Sequence, residues 1–183
     1  MASDRVTKWG VWYSAQFCPN NSYATGFALK YEKSSKGFDK TALNAINLLC
    51  TSNNDTNSII LTQIASNWNT REKREEYETW GEWDSEFKKC ASGKRLKQFA
   101  LRVERPQGPG GDDTAANSLR MSCDNMKSDV YLEETNMDGH GQWSEFKRCP
   151  SDMFICGMNV QVELPQGAGD DTAFNNVNFV CCP

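Results

Sequence analysis

The sequence predicts an all-β protein: a β-prism of three antiparallel Greek-key-type sheets set about one axis with pseudo-threefold internal symmetry. Three observations carry that prediction. One series of motifs occurs three times, residues alternate with a period of two inside each copy, and cysteines recur at matched places. A supersecondary unit repeated in this way cannot bury its apolar face alone, so the copies must share a core. The repeats fall at about 5–58, 59–125 and 126–183, within one domain spanning residues 1–183.

The first copy reads Trp9-Gly10-Val11-Trp12, then Gln16-Phe17-Cys18, Phe27-Ala28-Leu29-Lys30-Tyr31-Glu32, Asp39-Lys40-Thr41-Ala42-Leu43-Asn44 and Cys50. The second reads Trp80-Gly81-Glu82-Trp83, Glu86-Phe87 before Cys90, Phe99-Ala100-Leu101-Arg102-Val103-Glu104, Asp112-Asp113-Thr114-Ala115-Ala116-Asn117 and Cys123. The third keeps Gly141 and Trp143, Glu145-Phe146 before Cys149, Met158-Asn159-Val160-Gln161-Val162-Glu163, Asp170-Asp171-Thr172-Ala173-Phe174-Asn175 and Cys181.

Each copy opens on a strand whose bulky residues alternate: Phe27, Leu29 and Tyr31; Phe99, Leu101 and Val103; Met158, Val160 and Val162. A second strand follows, with Ile46, Leu48 and Cys50, then Leu119, Met121 and Cys123, then Val177, Phe179 and Cys181. Period two over five or six residues is the signature of a half-buried antiparallel strand. Third strands are expected at 59–64 and 129–133, with a weaker one around 5–7 for the first copy. Gly- and Pro-bearing segments at 34–37, 106–111 and 165–169 form the turns between paired strands. The charge-rich spacer 67–79 reads as a solvated loop or short surface helix, and Trp68 within it as an exposed ring. Three sheets with apolar inner faces close around one axis and leave few exposed edges.

The eight cysteines sort by repeat. Cys18 and Cys50, Cys90 and Cys123, and Cys149 and Cys181 are separated by 32, 33 and 32 residues, as one disulfide per repeat requires. Each such loop is worth about 3–4 kcal/mol on the chain-entropy account. Cys156 with Cys182 completes the set; the swapped arrangement, Cys149–Cys182 with Cys156–Cys181, satisfies the sequence equally. Zinc is disfavoured, since no Cys-x-x-Cys occurs and the chain has one histidine, His140. Disulfides need an oxidising compartment. The start, Met1-Ala2-Ser3-Asp4, carries no apolar signal stretch, so a trimmed or replaced leader is expected. Asn20 and Asn54 head glycosylation sequons.

A net charge of −4 without a basic groove argues against nucleic acid. No apolar run is long enough to span a bilayer, and no amphipathic insertion segment occurs, so membrane insertion is not expected. No cofactor or metal is expected.

The motif set Trp-Gly-x-Trp, Phe-Ala-Leu-Lys/Arg-x-Glu, Pro-Gln-Gly-x-Gly-Asp-Asp-Thr-Ala-x-Asn and a terminal Phe-x-Cys-Cys resembles the vitelline membrane outer layer protein I family. The likeness runs from Trp9 to Cys182 in all three copies. It implies a β-prism with threefold internal symmetry, four disulfides and secretion. The family includes a component of the outer layer of the bird egg's vitelline membrane. One departure is Lys40, which stands where the other copies have the second aspartate, and a second is the late start of the first copy.

Two readings compete for the Asp-Asp-Thr-Ala-x-Asn segments. In one, Asp39, Asp112, Asp113, Asp170 and Asp171, with Asn44, Asn117 and Asn175, hydrogen-bond sugar hydroxyls or hold a calcium ion. In the other, their side chains hold the backbone of the turn, and the repetition beside Gly-rich turns favours this. Paired carboxylates also raise glycosidic chemistry, but adjacent aspartates tend to point apart. Trp9, Trp12, Trp80, Trp83 and Trp143 read as packing rather than as sugar platforms. Glu32, Glu104 and Glu163 read as solvent-facing or paired with a base, and His140 as a loop residue. The expectation is a secreted structural and binding component of an egg-coat or mucus-type layer, contacting extracellular glycoprotein or glycan. The alternative is a weak glycosidase or transglycosylase on amino-sugar oligosaccharides; no catalytic residue is assigned.

Overall fold

The computed structural model describes residues 1–32, 42–52, 62–65, 68–69, 74–75, 81–108, 114–124, 126–127, 130–134, 139–163 and 173–183. Among them there is no helix. Three antiparallel sheets are built on the predicted strand pairs: Ser22–Tyr31 with Leu43–Ser52, Leu96–Val103 with Ala116–Cys123, and Phe154–Val162 with Phe174–Cys182.

Edge strands complete each sheet, and most of them come from the next repeat. Thr62–Ala65 borders the first sheet on one side, and Glu82–Trp83 and Lys88–Lys89 border it on the other. Leu132–Glu133, Gln142–Trp143 and Lys147–Arg148 do the same for the second sheet. The third sheet is completed from the opposite end of the chain, by Val11–Trp12, Gln16–Phe17 and a bridge between Ala2 and Asn178. The third strand expected around 5–7 therefore does not form in the first sheet. Pairing instead falls at Ala2 and Ser3, whose N–H donates to the Val177 carbonyl. In the spacer, Trp68–Asn69 pairs with Arg74–Glu75, a short ladder rather than a helix. A segment this short without an apolar stripe at helical spacing has little to stabilise a helix.

The alternating residues meet in one core. Phe27, Leu29, Ile46, Leu48, Phe99, Leu101, Leu119, Met121, Met158, Val160, Val177 and Phe179 are all buried. Phe99 and Phe179 make an edge-to-face contact with ring centroids 4.8 Å apart, joining the second and third sheets. Each fully buried side chain of this size is worth about 1.5–3 kcal/mol, so the core is the principal cohesive term. Near one end of the sheets the Arg95 guanidinium lies 4.6 Å from both the Tyr23 and Phe154 rings, so each sheet contributes one residue to the cluster.

The four disulfides are Cys18–Cys50, Cys90–Cys123, Cys149–Cys181 and Cys156–Cys182. The first three cross the seams between sheets. Cys18 N–H donates to Cys156 of the third sheet, Cys90 N–H to Thr25 of the first, and Cys149 N–H to Lys97 of the second. Their partners Cys50, Cys123 and Cys181 belong to the first, second and third sheets respectively. The result is a closed ring of staples: third to first, first to second, second to third. Cys156–Cys182 lies within the third sheet.

Candidate functional site

The acidic turns leave the sheets at equivalent places. In each repeat the strand-end glutamate closes the turn through its backbone: Glu32, Glu104 and Glu163 N–H groups donate to Ala42, Ala115 and Ala173 carbonyls at 2.8–2.9 Å. These alanines have φ of 49, 50 and 48°, the left-handed region that non-glycine residues adopt at a cost. The next ladder register is irregular in all three sheets, so Asn44, Asn117 and Asn175 occupy bulges. All three asparagines are buried. The Asn117 amide donates to the Thr114 hydroxyl (2.8 Å) and to the Ala115 carbonyl (3.3 Å), and Thr114 donates to the Glu104 carboxylate (2.7 Å). The Asn175 amide reaches the Ala173 carbonyl in the same way. These contacts hold the strained alanine peptide. Glu104 thus takes a threonine hydroxyl rather than a base. Asp39, Asp112, Asp113, Asp170 and Asp171 lie outside the described residues, as does Asn54.

A second cluster, which the sequence did not disclose, sits in the seam between the first and second sheets. Lys88 Nζ lies 2.8 Å from the carboxylate of Glu134, a residue only 4% exposed. Glu134 also hydrogen-bonds the Asp84 carboxyl, whose other contact is the Leu29 N–H at 3.0 Å. Burial raises the Asp84 carboxyl above its ordinary pKa; the Leu29 hydrogen bond and Lys88 oppose the rise, while Glu134 adds to it. The hydrogen bond to Glu134 raises Lys88. Burial, and then the charges of Glu134, Asp84 and Glu82, raise Tyr31. No spacing rule finds this group, because Glu134 comes from the neighbouring sheet and lies far along the chain from Asp84 and Lys88.

The seam between the second and third sheets repeats the ion pair: Lys147 Nζ lies 2.7 Å from Asp4. Beside it opens a cleft of about 170 Å³ above the buried Leu101 and Val103, bounded by Asp4, Val6, Arg105, Gln142, Trp143 and Ser144. Among the described residues no group of three or more His, Cys, Asp or Glu is placed to hold a metal.

The repeated tryptophans lie along the edge strands. Trp83 and Trp143 are half-buried, and Trp12 is 40% exposed. Arg120 stands 4.4 Å from the Trp143 ring and 4.8 Å from Tyr131 and Phe146, and Arg5 stands 4.4 Å from Trp12. Trp80 and the side chain of Trp68 lie outside the described residues. His140 is exposed, in the place of Trp9 and Trp80. Asn20 is exposed in a turn.

A family profile described as "Vitelline membrane outer layer protein I (VOMI)" matches residues 1–183. The human protein named "Vitelline membrane outer layer protein 1 homolog" is 36% identical over 176 residues, covering 95% of this chain and 78% of its own. Among solved structures, a prostate-specific WGA16 glycoprotein lectin superposes with a TM-score of 0.57 at 9% identity, covering 100% of this chain and 98% of its own. The Calsepa lectin in complex with a biantennary N-glycan gives 0.55 at 10%, covering 100% and 95%. At such identities these two structures establish a shared β-prism fold and nothing finer.

Proposed function

The chain belongs to the vitelline membrane outer layer protein I family, and from that premise we propose that it is a secreted structural component of an extracellular layer that binds glycan or glycoprotein. The match of the family along the whole chain carries this reading. The four disulfides support it, since such crosslinks persist where the surroundings are oxidising. A stapled prism carries the acidic motif three times in its sequence, each time between the paired strands of one sheet. Weak contacts made by each to one polymeric partner add through high effective concentration. We assign contacts to the acidic turns bearing Asp39, Asp112, Asp113, Asp170 and Asp171. Asn117 and Asn175 hold the alanines at the strand entries, and Asn44 occupies the matching bulge.

The alternative, hydrolysis or transfer of amino-sugar oligosaccharides, needs two carboxyls about 5–9.5 Å apart. Asp84 and Glu134 are instead in hydrogen-bond contact, with Lys88 closing the group. A carboxyl pair in contact lacks the separation that either glycosidic geometry requires. The test is a glycan array probed with the oxidised protein, with retention on immobilised egg-coat and mucus glycoproteins measured in parallel. Saturable binding to at least one glycan class is expected. Absence of binding in both formats rejects the proposal.

A further inference from the structure

We infer that the cleft between the second and third sheets is a subsite for one neutral sugar ring of a glycan chain. The inference rests on the glycan-binding reading above and gives it a location.

Equivalent positions at the three seams follow from matching backbone bonds. Asp84, Ser144 and Tyr13 N–H groups donate to the Leu29, Leu101 and Val160 carbonyls, each at 2.8–2.9 Å. Asp84 and Ser144 also take the same return bond, from the Leu29 and Leu101 N–H groups. Tyr31, Val103 and Val162, two residues further along each strand, are therefore equivalent too. At the first seam Tyr31, Asp84 and the buried Glu134 fill this position. At the third seam a tyrosine ring, Tyr13, stands where the second seam has Ser144. Only the second seam combines a valine with a serine, and there the cleft opens.

Its size and lining fit a single ring. A cavity of about 150 Å³ accommodates a benzene molecule, and this one measures about 170 Å³. Val6 and the half-buried Trp143 supply its accessible apolar surface, over the buried Leu101 and Val103 of the core, and Asp4, Arg105 and Gln142 supply acceptors and donors around it. A pyranose has the same division, with C–H groups on a face and hydroxyls at the rim. An apolar wall with a few convergent polar groups is the usual make-up of a small-ligand site. The lining carries one carboxylate, Asp4, and one guanidinium, Arg105, so it bears no net charge. A neutral ring is favoured accordingly.

The test uses the oxidised full chain and the tightest-binding neutral glycan from the array. Its dissociation constant is measured by calorimetry against the unaltered protein, Val103→Tyr and the double variant Arg105→Ala/Gln142→Ala. The tyrosine copies the residue that fills the first seam; the double variant changes exposed side chains and serves if Val103→Tyr does not fold. Weakening of ten-fold or more in either folded variant supports the subsite. Unchanged affinity in every folded variant overturns the cleft while glycan binding stands. Binding confined to acidic glycans overturns the neutral-ring assignment. If the unaltered protein binds no glycan, the cleft and the wider reading fall together.

Discussion

Gly10, Gly81 and Gly141 recur because each lies against the end of a neighbouring strand. A Cβ on Gly81 would stand 2.5 Å from the Tyr31 carbonyl carbon, and one on Gly141 2.6 Å from that of Val103. Both glycines also have positive φ, 72 and 82°. Gly93 separates the two causes, since it shares a φ of 72° but a Cβ there meets nothing within 4 Å. Gly93→Ala is expected to cost about 1 kcal/mol, the backbone penalty alone. Gly81→Ala adds a clash with main chain that must displace the Glu82–Trp83 edge, so a loss of about 2–4 kcal/mol is expected. Urea unfolding of the two variants checks the difference; equal losses reject the steric account. The Trp-Gly-x-Trp motif was legible as a repeat, but its purpose was not, because the atom that excludes a side chain belongs to a strand distant in the sequence. The Asp-Asp-Thr-Ala-x-Asn motif was more transparent at its second half. Thr114 and Asn117 act locally on the turn, and local roles can be read from local sequence.

At the scale of elements, the inner strands were readable because burial imposes a period of two on a single segment. Of the edge strands, those expected at 59–64 and 129–133 are found in part, as Thr62–Ala65 and Leu132–Glu133. Those such as Glu82–Trp83 and Lys88–Lys89 were not legible, because strands of two residues show no period. Their pairing with the preceding sheet also depends on partners outside the repeat. The first copy shows a related error. Gln16-Phe17 resembles the Glu-Phe pairs of the other copies, yet the ladders set Phe17 opposite Gly157 as Lys89 is set opposite Gly26. Phe17 is accordingly 55% exposed on a sheet edge where another repeat carries lysine. The fourth disulfide also breaks the symmetry. Cys156 falls at the bulge that Thr25 occupies in the first sheet, and there the Thr25 and Thr51 hydroxyls are 2.7 Å apart. A double Cys156→Thr/Cys182→Thr variant should therefore fold and lose less stability than removal of Cys149–Cys181. Thermal unfolding of both double variants decides it, and an equal loss rejects the equivalence. The seam carboxyls give a pH prediction. Asp84 has a raised folded-state pKa, so its contribution is present below the ordinary carboxylate range and is lost as pH rises through the raised value. Asp84→Asn keeps an acceptor for the Leu29 N–H and removes the charge beside Glu134. It should stabilise the protein at neutral pH, with the advantage shrinking as pH falls to about 4. An advantage constant across that range contradicts the assigned cause.

On the scale of the whole molecule, three similar sheets become one body because no sheet is complete without another part of the chain. Each of the first two draws edge strands from the repeat that follows, and the third is finished by the opening residues, through Ala2, Val11–Trp12 and Gln16–Phe17. The ring of disulfides follows the same path, one staple per seam, so the covalent and hydrogen-bonded closures reinforce each other. Loops of 32 and 33 residues are each worth about 3–4 kcal/mol on the chain-entropy account. Together they amount to about 10 kcal/mol, against a typical total stability of about 5–15 kcal/mol. Full reduction should therefore unfold the chain near body temperature. Opening a single seam, as in Cys90→Ser/Cys123→Ser, should leave a folded protein weakened by about 3–4 kcal/mol. The shared core makes that loss global: denaturation should remain one transition. Hydrogen exchange should rise first at the opened seam, along Lys88–Lys89 and Leu132–Glu133. Separate transitions for separate sheets would show that each folds alone, and the single core would then be the wrong description of how the molecule coheres.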